Sequence, residues 1–225
     1  LRTKGWELML TWNDAFKLAN KPFRYNLSVG LADNTSEITK FDNPSKILSD
    51  YYVGQKLGDI WGYVVDGLFR TDEEAANYNV DQTAVNFVIN TAQVNPGLHA
   101  GDMKFVDLDG NNKISSGSNT ADDPGDRKII GNSLPRYTYS IQGGFDWYGF
   151  DFSIYLQGVG HQDWYPGTNS VFFWGPYARP YSSFIPRDFL SNVWSPENPD
   201  AYFPRPILDG GKNQKKQTRY LQNAA

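Results

Sequence analysis

Four stretches of the chain alternate between apolar and polar side chains with a period of two, the pattern of a β-strand with two unlike faces. Each stretch approaches the roughly 9–11 residues that a tilted strand needs to cross a membrane. We therefore predict an all-β fold built from antiparallel strands. The apolar positions in the four stretches are Trp6, Leu8, Leu10 and Trp12; Phe23, Tyr25, Leu27, Val29 and Leu31; Tyr137, Tyr139, Ile141 and Phe145; and Phe150, Phe152, Ile154 and Leu156.

The connections between these stretches differ greatly in length. A modest segment, 13–21, joins the first two, and a tight turn at 147–149 joins the last two. The pattern predicts a two-strand hairpin at 1–32, a long loop at 33–136, a second hairpin at 137–158 and another long loop at 159–225. Short turns at one end and long loops at the other are typical of an outer-membrane β-barrel.

A soluble β-sandwich also alternates and also contains hairpins, so periodicity alone leaves both folds open. Loops as long as these are uncommon in a compact sandwich, which favours the barrel. The aromatic residues at the strand ends favour it too, because a barrel carries aromatic belts at both membrane interfaces.

The long loops are extracellular in a barrel. The first of them contains short apolar pieces between glycines at 51–69. Thr71 and Glu74 then predict a capped helix that ends near Tyr78.

Composition removes several classes of function. Aromatic residues make up 16% of the chain, which suits many short strands or a carbohydrate-facing surface. The net charge of −4 offers no basic field for nucleic acid, and the absence of cysteine rules out disulfides, thiolate nucleophiles and cysteine zinc sites. No apolar run is long enough for a transmembrane helix.

No catalytic sequence motif stands out, and we do not expect an enzyme. His99 and His161 lie far apart in sequence and are expected to be incidental. Glu197 and Asp200 satisfy only the residue types that a glycosidase pair requires, and nothing in the sequence brings them to the required separation.

A run of oxygen-bearing residues in the first long loop resembles the start of an EF-hand calcium loop. Asp107, Asp109 and Asn111 stand at its first, third and fifth positions, and the Lys113 carbonyl at its seventh. The usual glycine is replaced by Asn112, which tolerates left-handed dihedrals, and Ile114 takes the anchoring apolar position. A later carboxylate (Asp122, Asp123 or Asp126) has to close the site around Ca²⁺ or Mg²⁺. The alternative is a pair of Asx turns without an ion.

The second long loop is rich in aromatic side chains. Rings exposed in a loop stack on sugars or anchor a protein partner. The alternative is that these rings pack the loop onto itself. The candidates for a role towards ligand or partner are Trp164, Tyr165, Phe173, Trp174 and Tyr177.

Seven segments, in order along nearly the whole chain, resemble the C-terminal half of SusC/RagA-family outer-membrane proteins. Each segment alone is a weak signal, and their order makes the set specific. The segments are TKGWEL at 3–8, VGQ, WGY and DGLF within 53–69, GDMKFVDLDG at 101–110, IGNSLP at 130–135, GFD and QG within 149–158, WSPENPDAYFP at 194–204 and YLQNA at 220–224. The chain departs from the family pattern at Asn112 and at an insertion, 115–125, before Asp126.

The resemblance implies a barrel of the 22-stranded type, embedded in outer-membrane lipid and filled by an N-terminal plug. It implies energy from the TonB system, acting through that N-terminal part, and a SusD-like lipoprotein on the surface. The substrates implied are glycans or peptides, and the location is the outer membrane of Bacteroidetes-type bacteria. We therefore expect this chain to be part of a longer transporter. The alternative is a soluble extracellular β-rich module that binds glycans or proteins.

Overall fold

A computed structural model describes residues 1–85, 97–167, 170–177, 185–206 and 215–225 of the chain. Within these residues, helical structure is limited to three short α-helices, α1 (Asp72–Ala76), α2 (Val171–Trp174) and α3 (Phe189–Asn192), and to 3₁₀ turns. None of these helices has the length and apolar character that crossing a membrane requires. The strands are β1 (Arg2–Leu18), β2 (Lys21–Glu37), β3 (Asp59–Tyr63), β4 (Val65–Leu68), β5 (Met103–Phe105), β6 (Arg127–Asn132), β7 (Arg136–Trp147), β8 (Phe150–His161), β9 (Asp163–Trp164) and β10 (Gln222–Asn223).

The four alternating stretches form one antiparallel sheet with the strand order β1-β2-β7-β8. The all-β prediction is confirmed, and the sheet is open, not closed into a barrel, over the residues described. β1 and β2 are each 17 residues long and pair along their full length, from Arg2 opposite Glu37 to Leu18 opposite Lys21. The prediction of a linking segment at 13–21 was therefore wrong, because most of it continues the two strands. β2 and β8 likewise run past the predicted boundaries at 32 and 158.

Both hairpins close with two-residue turns at the same end of the sheet. Ala19 and Asn20 adopt left-handed φ angles of 49° and 62°, and Tyr148 and Gly149 adopt 50° and 87°. Two successive left-handed residues make the type I′ turn, whose twist matches the twist of the flanking strands. The Trp147 Nε1 donates to the Leu18 carbonyl at 3.2 Å, which holds the two turns side by side. All the long connections consequently leave the opposite end of the sheet.

The two long segments fold together at that opposite end into one unit, here called the cap (the described residues of 38–135 and 162–225). The small sheets β3–β6, β4–β5 and β9–β10 form its frame. The first segment joins the second where the Tyr63 amide donates to the Lys216 carbonyl at 2.9 Å. Both segments contribute to one apolar core, whose buried members are Tyr63, Val85, Met103, Phe105, Ile114, Trp174, Tyr177 and Tyr220.

Helix α1 begins at the predicted cap. The Thr71 hydroxyl accepts from the Glu74 amide at 3.1 Å, as a capping residue does. The Glu74 carboxylate reaches back to the amide of Arg70 at 2.8 Å, one residue earlier than a capping box requires. The helix ends at Ala76, so it is shorter than the sequence predicts.

A buried ion pair marks the point where the cap meets the sheet. Asp33, near the end of β2, is 9% exposed and receives two hydrogen bonds from the guanidinium of Arg136, one from Nε at 2.6 Å. Beyond this pair, β2 continues along β1 without β7 beside it. The first hairpin therefore projects above the second one on the side of the cap.

Candidate functional site

One face of the four-stranded sheet is apolar in cross-strand rows. Leu10 lies opposite Val29, Val29 opposite Ile141, and Ile141 opposite Leu156. Although apolar, these side chains are open to solvent, and Leu10 and Trp12 are each 62% exposed. Soluble proteins rarely leave so large a contiguous apolar patch uncovered. Nothing among the described residues packs over this face, here called the outer face.

Aromatic rings gather at the two ends of the outer face. At the turn end, Phe16, Phe23, Phe145 and Phe152 form a chain of contacts with centroids 5.0, 5.3 and 5.4 Å apart. At the cap end lie Trp6, Tyr137 and Tyr139. Aliphatic side chains fill most of the space between the two groups. Rings at both edges of an aliphatic band are the arrangement expected at the two interfaces of a lipid bilayer.

The other face of the sheet, here called the inner face, carries mainly amides, hydroxyls and small residues. Thr11 and Ser28 hydrogen-bond across β1 and β2 at 2.9 Å. Towards the turns, Arg24 lies 3.9 Å from Asp146. The inner face thus presents hydrogen-bonding groups to water on the side opposite the apolar face. This is the division of faces found in a membrane barrel with a polar interior.

Within the cap, the structure brings together three of the five residues proposed as cation ligands. Carboxylate oxygens of Asp107, Asp109 and Asp126 all lie within 4.8 Å of one another. Asn111 contacts this group through its side-chain nitrogen, which donates to Asp109 Oδ2 at 2.8 Å. Lys113 lies in a bridge with Asp81 at the edge of the loop.

The backbone of this loop follows the EF-hand expectation. Asn112 has a φ of 60°, the left-handed value that the replaced glycine would supply. Ile114 is fully buried in the cap core, as the anchoring position requires. Asp126 is the carboxylate, among the three that the sequence left open, that closes the group.

Backbone amides already satisfy much of this carboxylate group. Asp107 accepts from the amides of Gly110 and Asn112 at 2.8 and 2.7 Å. Asp109 accepts from the amide of Asn111, two residues on, at 3.1 Å, which is the geometry of an Asx turn. The buried Asp126 accepts from the amides of Leu108 and Ser115 at 2.8 and 2.7 Å. These bonds fix the loop with or without an ion.

The electrostatics of the group differ between its two neighbouring aspartates. Desolvation acts to raise the pKa of Asp107, but the amides of Asn112, Gly110 and Asn111 outweigh it and lower that pKa. Desolvation raises the pKa of Asp109, and the nearby charges of Asp126 and Asp107 raise it further. Of these two neighbours, ionised Asp109 is therefore the one whose charge a cation would relieve more.

The structure separates the five candidate aromatic residues into three groups by burial. Trp174 and Tyr177 are only 1% and 4% exposed and belong to the cap core, which corrects the expectation that they face a ligand or partner. Tyr165 and Phe173 are half-buried and pack against that core. Trp164, at 45% exposed, is the one of the five that presents a ring to solvent.

The two histidines and Asp200 have local partners. His99 lies 3.4 Å from Asp72, and His161 lies 3.1 Å from Asp163. Asp200 forms an ion pair with Arg70 at 2.7 Å. These contacts are structural pairings within the cap and at its junction with β8.

Sequence reasoning overlooked one feature of the inner face. Met9 and Tyr155 lie on it among amides, hydroxyls and small residues, and are 64% and 59% exposed. Alternation assigns both positions to the polar face, but it predicts a polar side chain at each. The signal was the interruption itself, since a residue that breaks a local pattern commonly marks a functional position.

No protein-family model matches the chain. The chain is 27% identical over 177 residues to TonB-dependent receptor P39 of Formosa agariphila, a match covering 68% of this chain and 16% of that protein. It is 22% identical over 239 aligned positions to TonB-dependent receptor P3 of the same organism, covering 100% of this chain and 20% of that protein. The chain thus spans a fifth or less of the length of these curated relatives. This distant similarity supports a relationship to TonB-dependent receptors.

Proposed function

We propose that the chain forms part of the wall and the outer loops of a TonB-dependent outer-membrane transporter. The observation that carries the proposal is the uncovered apolar face of the sheet, which belongs against lipid. The two TonB-dependent receptors with which the chain aligns support the same conclusion. In this assignment the chain lies in the outer membrane, and the TonB system acts through another part of the same polypeptide.

The dimensions of the outer face support a membrane position. Trp6 and Phe16 delimit its aromatic groups on β1 and are ten residues apart. At about 3.3 Å per residue this is about 33 Å along the strand, or roughly 25 Å along the membrane normal after a tilt of about 40°. That height matches the apolar band of outer-membrane barrels, which is about 25 Å tall. The inner face then lines the water-filled interior and the cap lies outside the cell.

The substrate class and the external partner are the finer parts of the proposal. The inner face offers amides and hydroxyls, which suit glycans or peptides, the substrates that the SusC/RagA resemblance implies. The same resemblance implies a SusD-like lipoprotein bound over the cap. The exposed ring of Trp164 is a candidate contact for either one.

A soluble extracellular module that binds glycans or proteins is the second candidate. The observation that favours it is the separate apolar core of the cap, which does not draw on the four-stranded sheet. In such a module the outer face would pack against a second sheet. The two candidates therefore differ in what the outer face touches.

Arginine substitutions on the two faces of β1 distinguish these candidates. In the full-length protein we expect Leu10→Arg, midway along the outer face, to lower the free energy of unfolding by about 2–4 kcal/mol, because lipid solvates the charge poorly. Thr11→Arg is the matched control, because the Thr11 side chain faces the polar interior. It should change the free energy of unfolding by less than about 1 kcal/mol. Urea unfolding in lipid vesicles measures both. Equal effects, or a native protein found only in the aqueous fraction, would contradict the transporter assignment.

A Ca²⁺ or Mg²⁺ ion at Asp107, Asp109 and Asp126 remains a proposal within this assignment, with Asn111 and the Lys113 carbonyl as further ligands. The ion would stiffen the loop that joins β5 to β6. The crowding of three carboxylates supports it, while the Asx turn at Asp109 and the amide bonds to Asp107 and Asp126 support the alternative of a loop without an ion.

Calcium titration of the full-length protein tests this ion. We expect Ca²⁺ at 100 times its dissociation constant to stabilise the cap by about 2.7 kcal/mol, read as an upward shift in its melting temperature. Asp109→Asn should abolish the shift, and Asp122→Asn, which alters an exposed carboxylate paired with Lys46, should keep it. If neither Ca²⁺ nor Mg²⁺ shifts the melting of the wild type, the loop is held by its Asx turns alone.

A further inference from the structure

The inner face contains a trough between two large side chains. Met9 on β1 and Tyr155 on β8 form its walls. Its floor consists of small side chains on the two central strands: Gly30, Ala32, Thr138 and Ser140. Large side chains on the two edge strands and small ones on the two central strands leave a volume of about 480 Å³ between them. This is within the roughly 300–1,000 Å³ typical of small-molecule sites.

The chemistry of the trough is nearly neutral. Among the described residues that line it, Glu7 carries the single charge. The floor and walls offer the hydroxyls of Thr138 and Ser140 and the amide of Gln157. Tyr155 donates its hydroxyl hydrogen bond to Gln157 Oε1 at 3.2 Å, which steadies the ring while its face stays open. A ring face beside neutral donors and acceptors is suited to an uncharged, hydroxyl-rich ligand.

The backbone of the trough argues against an extended peptide as the ligand. Peptides that bind as an added strand need a free strand edge. The floor lies on β2 and β7, which are the central strands of the sheet and are paired on both sides. Recognition here must therefore come from side chains, and charged peptide groups would find one carboxylate and no cation in the lining.

We propose that this trough binds a segment of a neutral oligosaccharide, with one sugar ring stacked on Tyr155. The hydroxyl and amide groups of Ser140, Thr138 and Gln157 bond to the sugar hydroxyls. Met9 closes the opposite side. This assignment rests on the proposed transport function and selects glycans, rather than peptides, as its substrate class.

Binding to the full-length protein in detergent tests the trough. The probes are maltohexaose, cellohexaose and mannohexaose, with hexa-alanine and hexagalacturonate as peptide and anionic counter-probes, measured by calorimetry. We expect a neutral hexasaccharide to bind and Tyr155→Ala to weaken it roughly tenfold, about 1.4 kcal/mol. Tyr155→Phe should stay within about threefold, because the ring remains. Tyr25→Ala is the matched control, since its ring lies on the opposite face of the same sheet beside Phe16 and Phe23, away from the trough, and its removal should leave binding unchanged.

A cysteine on the floor supplies a second readout. The 225 residues contain no cysteine, so Ser140→Cys adds a single thiol to this chain. We expect a maleimide to react with it and the bound hexasaccharide to slow that reaction several-fold. If the maleimide does not react with the thiol even without sugar, another part of the polypeptide occupies the trough, and the proposal is overturned. Three binding results would overturn it as well: the protein binds hexa-alanine but no hexasaccharide, it binds none of the neutral hexasaccharides, or Tyr155→Ala binds the sugar as tightly as the wild type.

Uptake in cells separates this inference from the transport function. Uptake of the sugar that requires TonB supports the transport function. If the Tyr155→Ala variant then takes up and binds the sugar like the wild type, the trough assignment alone fails. If uptake of the sugar is the same without TonB, the proposed transport function fails. The binding and labelling results decide the trough in either case.

Discussion

Replacing Trp174 with alanine is expected to unfold the cap while leaving the four-stranded sheet intact. Trp174 is 1% exposed and packs edge-on against Tyr220, with ring centroids 5.1 Å apart. Its Nε1 also donates to the Gly167 carbonyl at 2.9 Å. Truncation of a buried tryptophan costs about 3–5 kcal/mol through lost burial and the cavity it leaves. The cap core contains no residue of the sheet, so the damage should stay within the cap.

Limited proteolysis of the full-length protein in vesicles measures this effect. We expect cleavage within the cap segments to accelerate strongly, while the strands of the four-stranded sheet, which lie in the membrane in the proposed assignment, remain protected. Trp164→Ala is the matched control, because it removes the same side chain from a position that is 45% exposed. It should cost less than about 1 kcal/mol. Equal protease sensitivity of the two variants would show that Trp174 does not hold the cap together.

Removal of the Arg205 guanidinium should destabilise the cap by a similar amount. Its Nε and a terminal nitrogen donate to the two carboxylate oxygens of Asp102 at 2.7 and 3.2 Å. Asp102 is 4% exposed, so Arg205→Leu leaves a buried carboxylate without its charge partner. Breaking a buried pair from one side typically costs about 3–5 kcal/mol. Urea unfolding followed by tryptophan fluorescence measures the change in the free energy of unfolding.

An exposed ion pair in the same cap serves as the control. Lys46 and Asp122 approach within 2.8 Å, but both are well exposed. Lys46→Leu should therefore change the unfolding free energy by less than about 1 kcal/mol. The double variant Asp102→Asn with Arg205→Leu should recover part of the loss, because the uncompensated charge is gone. No recovery would mean that Arg205 acts through packing and not through its charge.

The division of the sheet into two faces could be predicted from sequence, because a one-residue slip would move every side chain to the wrong face. The strand lengths could not. Asn13, Asp14 and Lys17 look like a polar connection, yet β1 continues through them because β2 supplies backbone partners along its whole length. Pairing between strands overrides local composition here.

In the cap, features set by neighbouring residues could be predicted from sequence, and long-range contacts could not. Asn112 and Ile114 behave as the loop pattern predicts, since neighbouring residues determine both positions. The burial of Trp174 and Tyr177 depends on Tyr220 and on the Pro204 carbonyl, which no local pattern encodes. Asp126 was named together with Asp122 and Asp123 because spacing alone does not determine how an inserted segment folds back.

The shared core of the cap has a mechanical consequence. The second hairpin separates the two long segments in sequence, yet the Val65 amide donates to the Thr218 hydroxyl at 3.0 Å across 153 positions of sequence. Neither segment can swing outward alone without exposing core residues such as Phe105 and Tyr220 to water. A gate made from them therefore moves as one rigid body or opens by sub-global unfolding, on timescales of about microseconds to seconds. In the proposed transporter, passage beneath such a gate would be controlled by one cooperative event instead of by independent loop fluctuations.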